Sequence, residues 1–83
     1  MTGVAEQRLK EIASKILLIE QDEISDATSR KDLETWDSMS HLMLVTEIES
    51  AFGIMMSDDD VTGIKTFGDI KRVLRRLGVN LEA

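Results

Sequence analysis

Three stretches of this chain repeat apolar residues at intervals of three and four, and none alternates them at every second position. That periodicity belongs to amphipathic helices and offers no material for a sheet. Over residues 4–19, Ala5, Leu9, Ile12, Ala13 and Ile16 share one face, with Arg8, Lys10, Glu11 and Lys15 opposite. The second stretch, Ser38 to Phe52, carries a stripe of Leu42, Val45, Ile48 and Phe52, and Gly53 follows where a left-handed residue would stop a helix. The third, Phe67 to Leu77, gathers Phe67, Ile70, Val73, Leu74 and Leu77. Thr66 is its expected N-cap and Asp69 holds the capping-box position; Arg75 and Arg76 suit the last turn, and Gly78 ends it. A short fourth helix is expected at 58–63, capped by Ser57, with Asp58, Asp59 and Asp60 in its first turn and Gly63 closing it.

The spacing therefore predicts an all-α fold, a small bundle of three main helices plus one short helix, in a single domain covering residues 1–83. Residues 20–37 remain as a long connection, pinned by Ile24 and Leu33; a connection of this length is functional or conceals an element. A domain of this size buries about 60–65% of its unfolded surface, so its core is thin and a deep catalytic cleft has no room. With no cysteine, disulfides, thiolate metal sites and cysteine nucleophiles are excluded, and the single histidine, His41, excludes a histidine-rich metal centre. Charges recur throughout the first twenty residues, so neither a signal peptide nor a membrane span is expected, and the expected location is the cytoplasm.

Net charge is −6, unevenly spread. Residues 20–60 hold twelve acids against two bases, Arg30 and Lys31, for −10, while the remainder is +4. An acidic centre repels nucleic acid and attracts basic protein surfaces, although a solvated acidic face that only aids solubility would look the same.

Thr35-Trp36-Asp37-Ser38-Met39 marks the junction of the long connection with the second helix. A serine there meets the unpaired N–H groups and the positive end of the helix dipole, a ready site for an esterified phosphate. Taken alone, Asp-Ser before a helix is fully explained as an N-cap.

The surroundings add more. Asp37-Ser38-Met39 is followed by an amphipathic helix ending Glu49-Ser50-Ala51-Phe52-Gly53-Ile54, then by the acidic Asp58-Asp59-Asp60-Val61, then by Thr66-Phe67-Gly68-Asp69-Ile70. In order and spacing these resemble the phosphopantetheine-binding acyl carrier protein family over nearly the whole chain, in its discrete stand-alone form. The resemblance implies a non-enzymatic carrier with an acyl-carrier-protein-like bundle. It makes Ser38 the attachment point of a covalent 4'-phosphopantetheine drawn from coenzyme A, and gives Asp37 a part in recognition by the phosphopantetheinyl transferase. The arm ends in a thiol, which is how a cysteine-free chain can carry thioesters. Carried over, the second helix is the recognition element: Met39, Glu47 and Glu49 would meet partners, with Asp58, Asp59 and Asp60 extending the acidic surface. The implied partners are that transferase and the synthases, ligases or acyltransferases that load and use the cargo; the chain itself is expected to be a monomer. Ser40, His41 and Met43 stand where fatty-acid carriers commonly place acids, and Trp36 precedes Asp-Ser. Both departures point to a polyketide, nonribosomal peptide or related specialised pathway, with fatty acid synthesis as the alternative.

Other readings compete. An acidic helical adaptor without a prosthetic group would not need the Ser38 hydroxyl. A Ser38–His41 hydrolase would need an orienting third group and an oxyanion hole, and neither is visible, so His41 reads as a surface or partner-facing residue. Met39, Met43, Met55 and Met56 read as core filler or adaptable contacts, and Trp36 as a cover over the loop, with partner contact as the alternative. Asp58-Asp59-Asp60 lacks the alternating acids, glycine and closing glutamate of a calcium loop.

Overall fold

Each main helix forms where a run of apolar residues at helical spacing is closed by a specific terminator. The computed structural model describes residues 3–81. It places α1 at Val4–Leu17, α2 at Ser38–Phe52, α3 at Asp58–Gly63 and α4 at Phe67–Arg76. Among the described residues there is no strand, only an isolated bridge between Ser29 and Thr66. This is the small helical bundle that the periodicity predicts.

The terminators work as their chemistry requires. Gly53 ends α2 at φ 64°, with its N–H donating to the Glu49 carbonyl. Leu18 ends α1 in the same left-handed region, at φ 59°, without glycine's freedom. Both predicted capping boxes form: Ser57 with Asp60 on α3, and Thr66 with Asp69 on α4. Asp69 accepts from the N–H groups of Lys65 and Thr66, with the Lys65 contact the largest cause of a carboxyl held below its usual value.

The long connection does conceal elements, two single turns of 3-10 helix at Gln21–Glu23 and Arg30–Asp32. It is held down by the start of α4. Asp26 and Thr28 lend carbonyls to the N–H groups of Gly68 and Phe67 at 3.0 and 2.9 Å, satisfying two donors that the helix cannot pair itself. Gly68 suits this approach, since a Cβ there would lie 3.0 Å from the Asp26 carbonyl oxygen, a tight contact. Lys71, buried on α4, reaches Glu6 of α1 at 2.6 Å and Asp26 at 2.9 Å. Burial alone would lower its pKa, but the hydrogen bonds it donates to Glu6 and Asp26 outweigh it and hold the pKa above the ordinary lysine value.

The core joins Leu9, Ile12, Ala13 and Leu17 of α1 to Leu44, Val45 and Ile48 of α2 and Phe67, Ile70 and Leu74 of α4, with Ile24, Trp36 and Met56 closing its ends. Ile24 is thus the buried pin expected of the connection, and Leu33 packs against the core half-buried. On α2 the buried face differs from the expected one: it is His41, Leu44, Val45 and Ile48, while Leu42 is exposed. Both sets follow helical spacing. Counting His41 as polar shifted the stripe, because an imidazole is buried cheaply only when partners wait for it, and a stripe of residues does not display partners.

Candidate acyl-arm attachment site

The Asp37 carboxylate Oδ1 accepts from the Ser40 N–H at 2.9 Å, and the Asp37 carbonyl accepts from the His41 N–H at 2.9 Å. Asp37 is therefore the N-cap of α2, and Ser38 is its first residue. The Ser40 backbone hydrogen bond is the largest reason that the Asp37 carboxyl is held below its usual value. With Asp37 doing the capping, the Ser38 side chain is not needed for it. Ser38 is exposed, at the positive end of a fifteen-residue helix.

That arrangement fits a phosphodiester on Ser38. The hydroxyl stands in solvent, and the helix end offsets a negative charge placed on it. Among the described residues no group of three or more histidine, aspartate or glutamate side chains that could hold a metal ion occurs. When bound, phosphopantetheine supplies a flexible reach and a terminal thiol that holds an acyl group as a thioester.

His41 is not the surface residue the sequence suggested: it is 4% exposed. Its Nδ1 accepts from the Trp36 indole N–H at 2.9 Å, and its Nε2 lies 2.8 Å from the Val61 carbonyl oxygen. Both ring nitrogens are spent inside the fold, which removes the Ser38–His41 dyad as well. Trp36 is buried too, at 2% exposure, as a core residue rather than a loop cover.

The other candidate residues divide. Met39 is 73% exposed beside Ser38, and Leu42 and Met43 stand next to it at 62% and 51%. With Ile16 of α1 these three form an apolar groove of about 420 Å³, rimmed by the Lys15–Glu47 pair at 3.9 Å. Of Met39, Met43, Met55 and Met56, only Met56 is core filler, while the other three are exposed. Glu47 is exposed, but Glu49 is half-buried and its Oε2 accepts from the Met56 N–H at 2.7 Å. Glu49 thus fastens the loop between α2 and α3, against the expectation of a free docking acid. Asp60 caps α3 and pairs with Arg76, the largest cause of its lowered pKa. Asp58 and Asp59 remain exposed, and neither has an ion-pair partner among the described residues. The sequence pattern missed the apolar groove; the signal was present in Met39, Leu42 and Met43, which recur at spacings of three and four.

Comparison with known proteins identifies the family. The family model for the phosphopantetheine attachment site matches residues 7–74. The meromycolate extension acyl carrier protein of Mycolicibacterium aurum is 29% identical over 69 residues, which is 83% of this chain and 71% of that protein. The protein of the same name from Mycobacterium tuberculosis is 29% identical over 69 residues, 83% of this chain and 60% of its own length. The chain therefore belongs to the acyl carrier protein family, whose members are not catalysts but carriers that hold their cargo on a covalent 4'-phosphopantetheine.

Proposed function

We propose that Ser38 carries the 4'-phosphopantetheine and that the chain moves acyl thioesters between enzymes of a specialised assembly pathway. The observation that carries this reading is the exposed Ser38 on the first turn of α2, with its capping duty taken by Asp37. Asp37 stays fixed and ionised beside the hydroxyl, suited to recognition by the transferase. Partners would approach along α2, seating apolar side chains on Met39, Leu42 and Met43, with Glu47, Asp58 and Asp59 steering basic rims from further out. Binding of that kind is weak and short-lived, as a shuttle requires. The apolar groove next to the arm supports a partner set unlike that of an acid-faced fatty-acid carrier. A second reading, a carrier for acyl-chain extension in the manner of fatty acid synthesis, is favoured by the similarity to the mycobacterial meromycolate extension acyl carrier proteins.

No helix among the described residues is long and apolar enough to cross a membrane. We place the chain in the cytoplasm as a monomer on the strength of its reading as a diffusing carrier.

The test is incubation with coenzyme A, magnesium and a broad-specificity phosphopantetheinyl transferase, followed by intact and peptide mass spectra. One phosphopantetheine on Ser38, absent from a folded Ser38→Ala variant, is the expected result. A mass gain that survives Ser38→Ala would move the attachment elsewhere. No gain, beside a control carrier that is loaded, would favour the adaptor or a carrier that requires its own dedicated transferase.

A further inference from the structure

A buried imidazole with two polar neighbours is held in one orientation, and here the two neighbours come from different parts of the chain. Trp36 lies in the connection, immediately before Asp37-Ser38, and Val61 lies on α3. Because the indole is a donor only, His41 Nδ1 must accept, and the ring hydrogen must sit on Nε2, donating to the Val61 carbonyl. The Trp36–His41 bond spans Asp37, Ser38, Met39 and Ser40, so the segment bearing Ser38 is closed at both ends by buried side chains. The bond to Val61 matters for a different reason. α3 has six residues and no fully buried one, so few contacts fix its place. A carbonyl near its C-terminal end, tied to a core imidazole, is one of them.

We propose that His41 is a positioning residue: with Trp36 it sets the Ser38 end of α2 against α3, so that the serine and the acids Asp58 and Asp59 meet a partner enzyme as one rigid surface. The proposal rests on Ser38 as the attachment point. Its consequence is kinetic. A partner that docks on α2 and α3 finds the hydroxyl already in register; without the link it docks equally well and finds the hydroxyl misplaced, which is a loss in kcat rather than in KM.

The test begins with the tautomer. Long-range proton–nitrogen NMR on the wild-type chain should show the His41 hydrogen on Nε2, and a hydrogen on Nδ1 would overturn the network. Transferase kinetics on Ser38 then compare His41→Phe, His41→Gln and Trp36→Phe with the wild type. Folded His41→Phe should lose on the order of tenfold in kcat with KM held within about twofold. His41→Gln, whose amide can both accept and donate, should recover most of that loss. Should His41→Phe not fold, Trp36→Phe takes its place: it removes the indole donor alone and should lower kcat in the same sense. Loading of the folded variants at the wild-type kcat, or a His41→Gln as slow as His41→Phe, would overturn the role of His41. A wild-type chain that gains no arm beside a loaded control carrier overturns the attachment reading itself, and the two failures are thus told apart.

Discussion

Glu47 and Glu49 stand two residues apart on α2, and the structure makes them opposites. Glu49 is half-buried and spends an oxygen on the Met56 N–H at 2.7 Å, while Glu47 is exposed and faces Lys15 at 3.9 Å. The informative perturbation is the same substitution, Glu to Gln, at each position. A hydrogen bond to an ionised partner contributes about 1.5–3 kcal/mol, and half-burial places Glu49 at the low end. Glutamine keeps an acceptor there, so Glu49→Gln should cost about 1 kcal/mol. Glu47→Gln breaks an exposed pair and should cost about 0–0.5 kcal/mol. Urea unfolding reads both, because Trp36 is the chain's only tryptophan and is buried. In heat, about 1 kcal/mol corresponds to a midpoint shift of roughly 4–8 °C for a domain this small. The order of docking effects should be reversed, with Glu47→Lys raising a transferase KM and Glu49→Gln leaving it alone. Equal stabilities for the two glutamine variants, or a larger loss at Glu47, would refute the assignment of Glu49 to the α2–α3 loop.

Gly53→Ala should destabilise by about 1 kcal/mol in the same urea assay, purely from the left-handed backbone, since a Cβ there meets nothing within 4 Å. Asp69 has a folded pKa below the ordinary 3.8, so its contribution to stability is present above that value and is lost as the pH falls through the folded pKa. Stability measured from pH 5 downward, about where such losses begin, should fall less steeply for Asp69→Asn than for the wild type. Lys71 is shifted the other way: its contribution is present below the ordinary 10.5 and is lost as the pH rises through the raised folded value. The alkaline limb of the stability profile should therefore flatten in Lys71→Met.

How much of this was legible depended on whether a residue's role is set by its neighbours along the chain or across it. Capping is local, and Ser57, Thr66, Asp69 and Gly53 all sit where their sequence context put them. The Asp37 cap was legible for the same reason, because its carboxylate accepts from the Ser40 N–H three positions away. His41 and Glu49 were misread because each is decided by a partner across the fold. Nothing within a helical turn of His41 announces the Val61 carbonyl, twenty residues on, and Glu49 looks like any helix-surface acid until the loop returns Met56 to it. The 3-10 turns escaped because they have no periodicity of their own; they exist to deliver Asp26 and Thr28 to the start of α4.

The same distinction changes what the acidic sequence means for partners. Over residues 20–60 the formal charge is −10, yet Asp26 is paired with Lys71, Asp37 caps α2, Glu49 holds Met56, and Asp60 is shared between its cap and Arg76. A carboxylate committed inside the fold still contributes to the long-range field, but it cannot turn toward a partner's arginine without giving up its own contact. Of the candidate docking acids, Asp58, Asp59 and the loosely paired Glu47 keep that freedom, and Met39, Leu42 and Met43 on α2 add an exposed apolar face. On the proposed reading, steering and holding would be divided: charge would set the rate of approach, and the apolar face how long a partner stays. Raising the salt from about 0.1 M to 1 M shortens the Debye length from roughly 10 Å to 3 Å, which should slow association several-fold and leave dissociation nearly unchanged. Stopped-flow measurement of transferase binding separates the two rates. Dissociation that quickens with salt as much as association slows would mean that the acids, and not the methionines, hold the complex together.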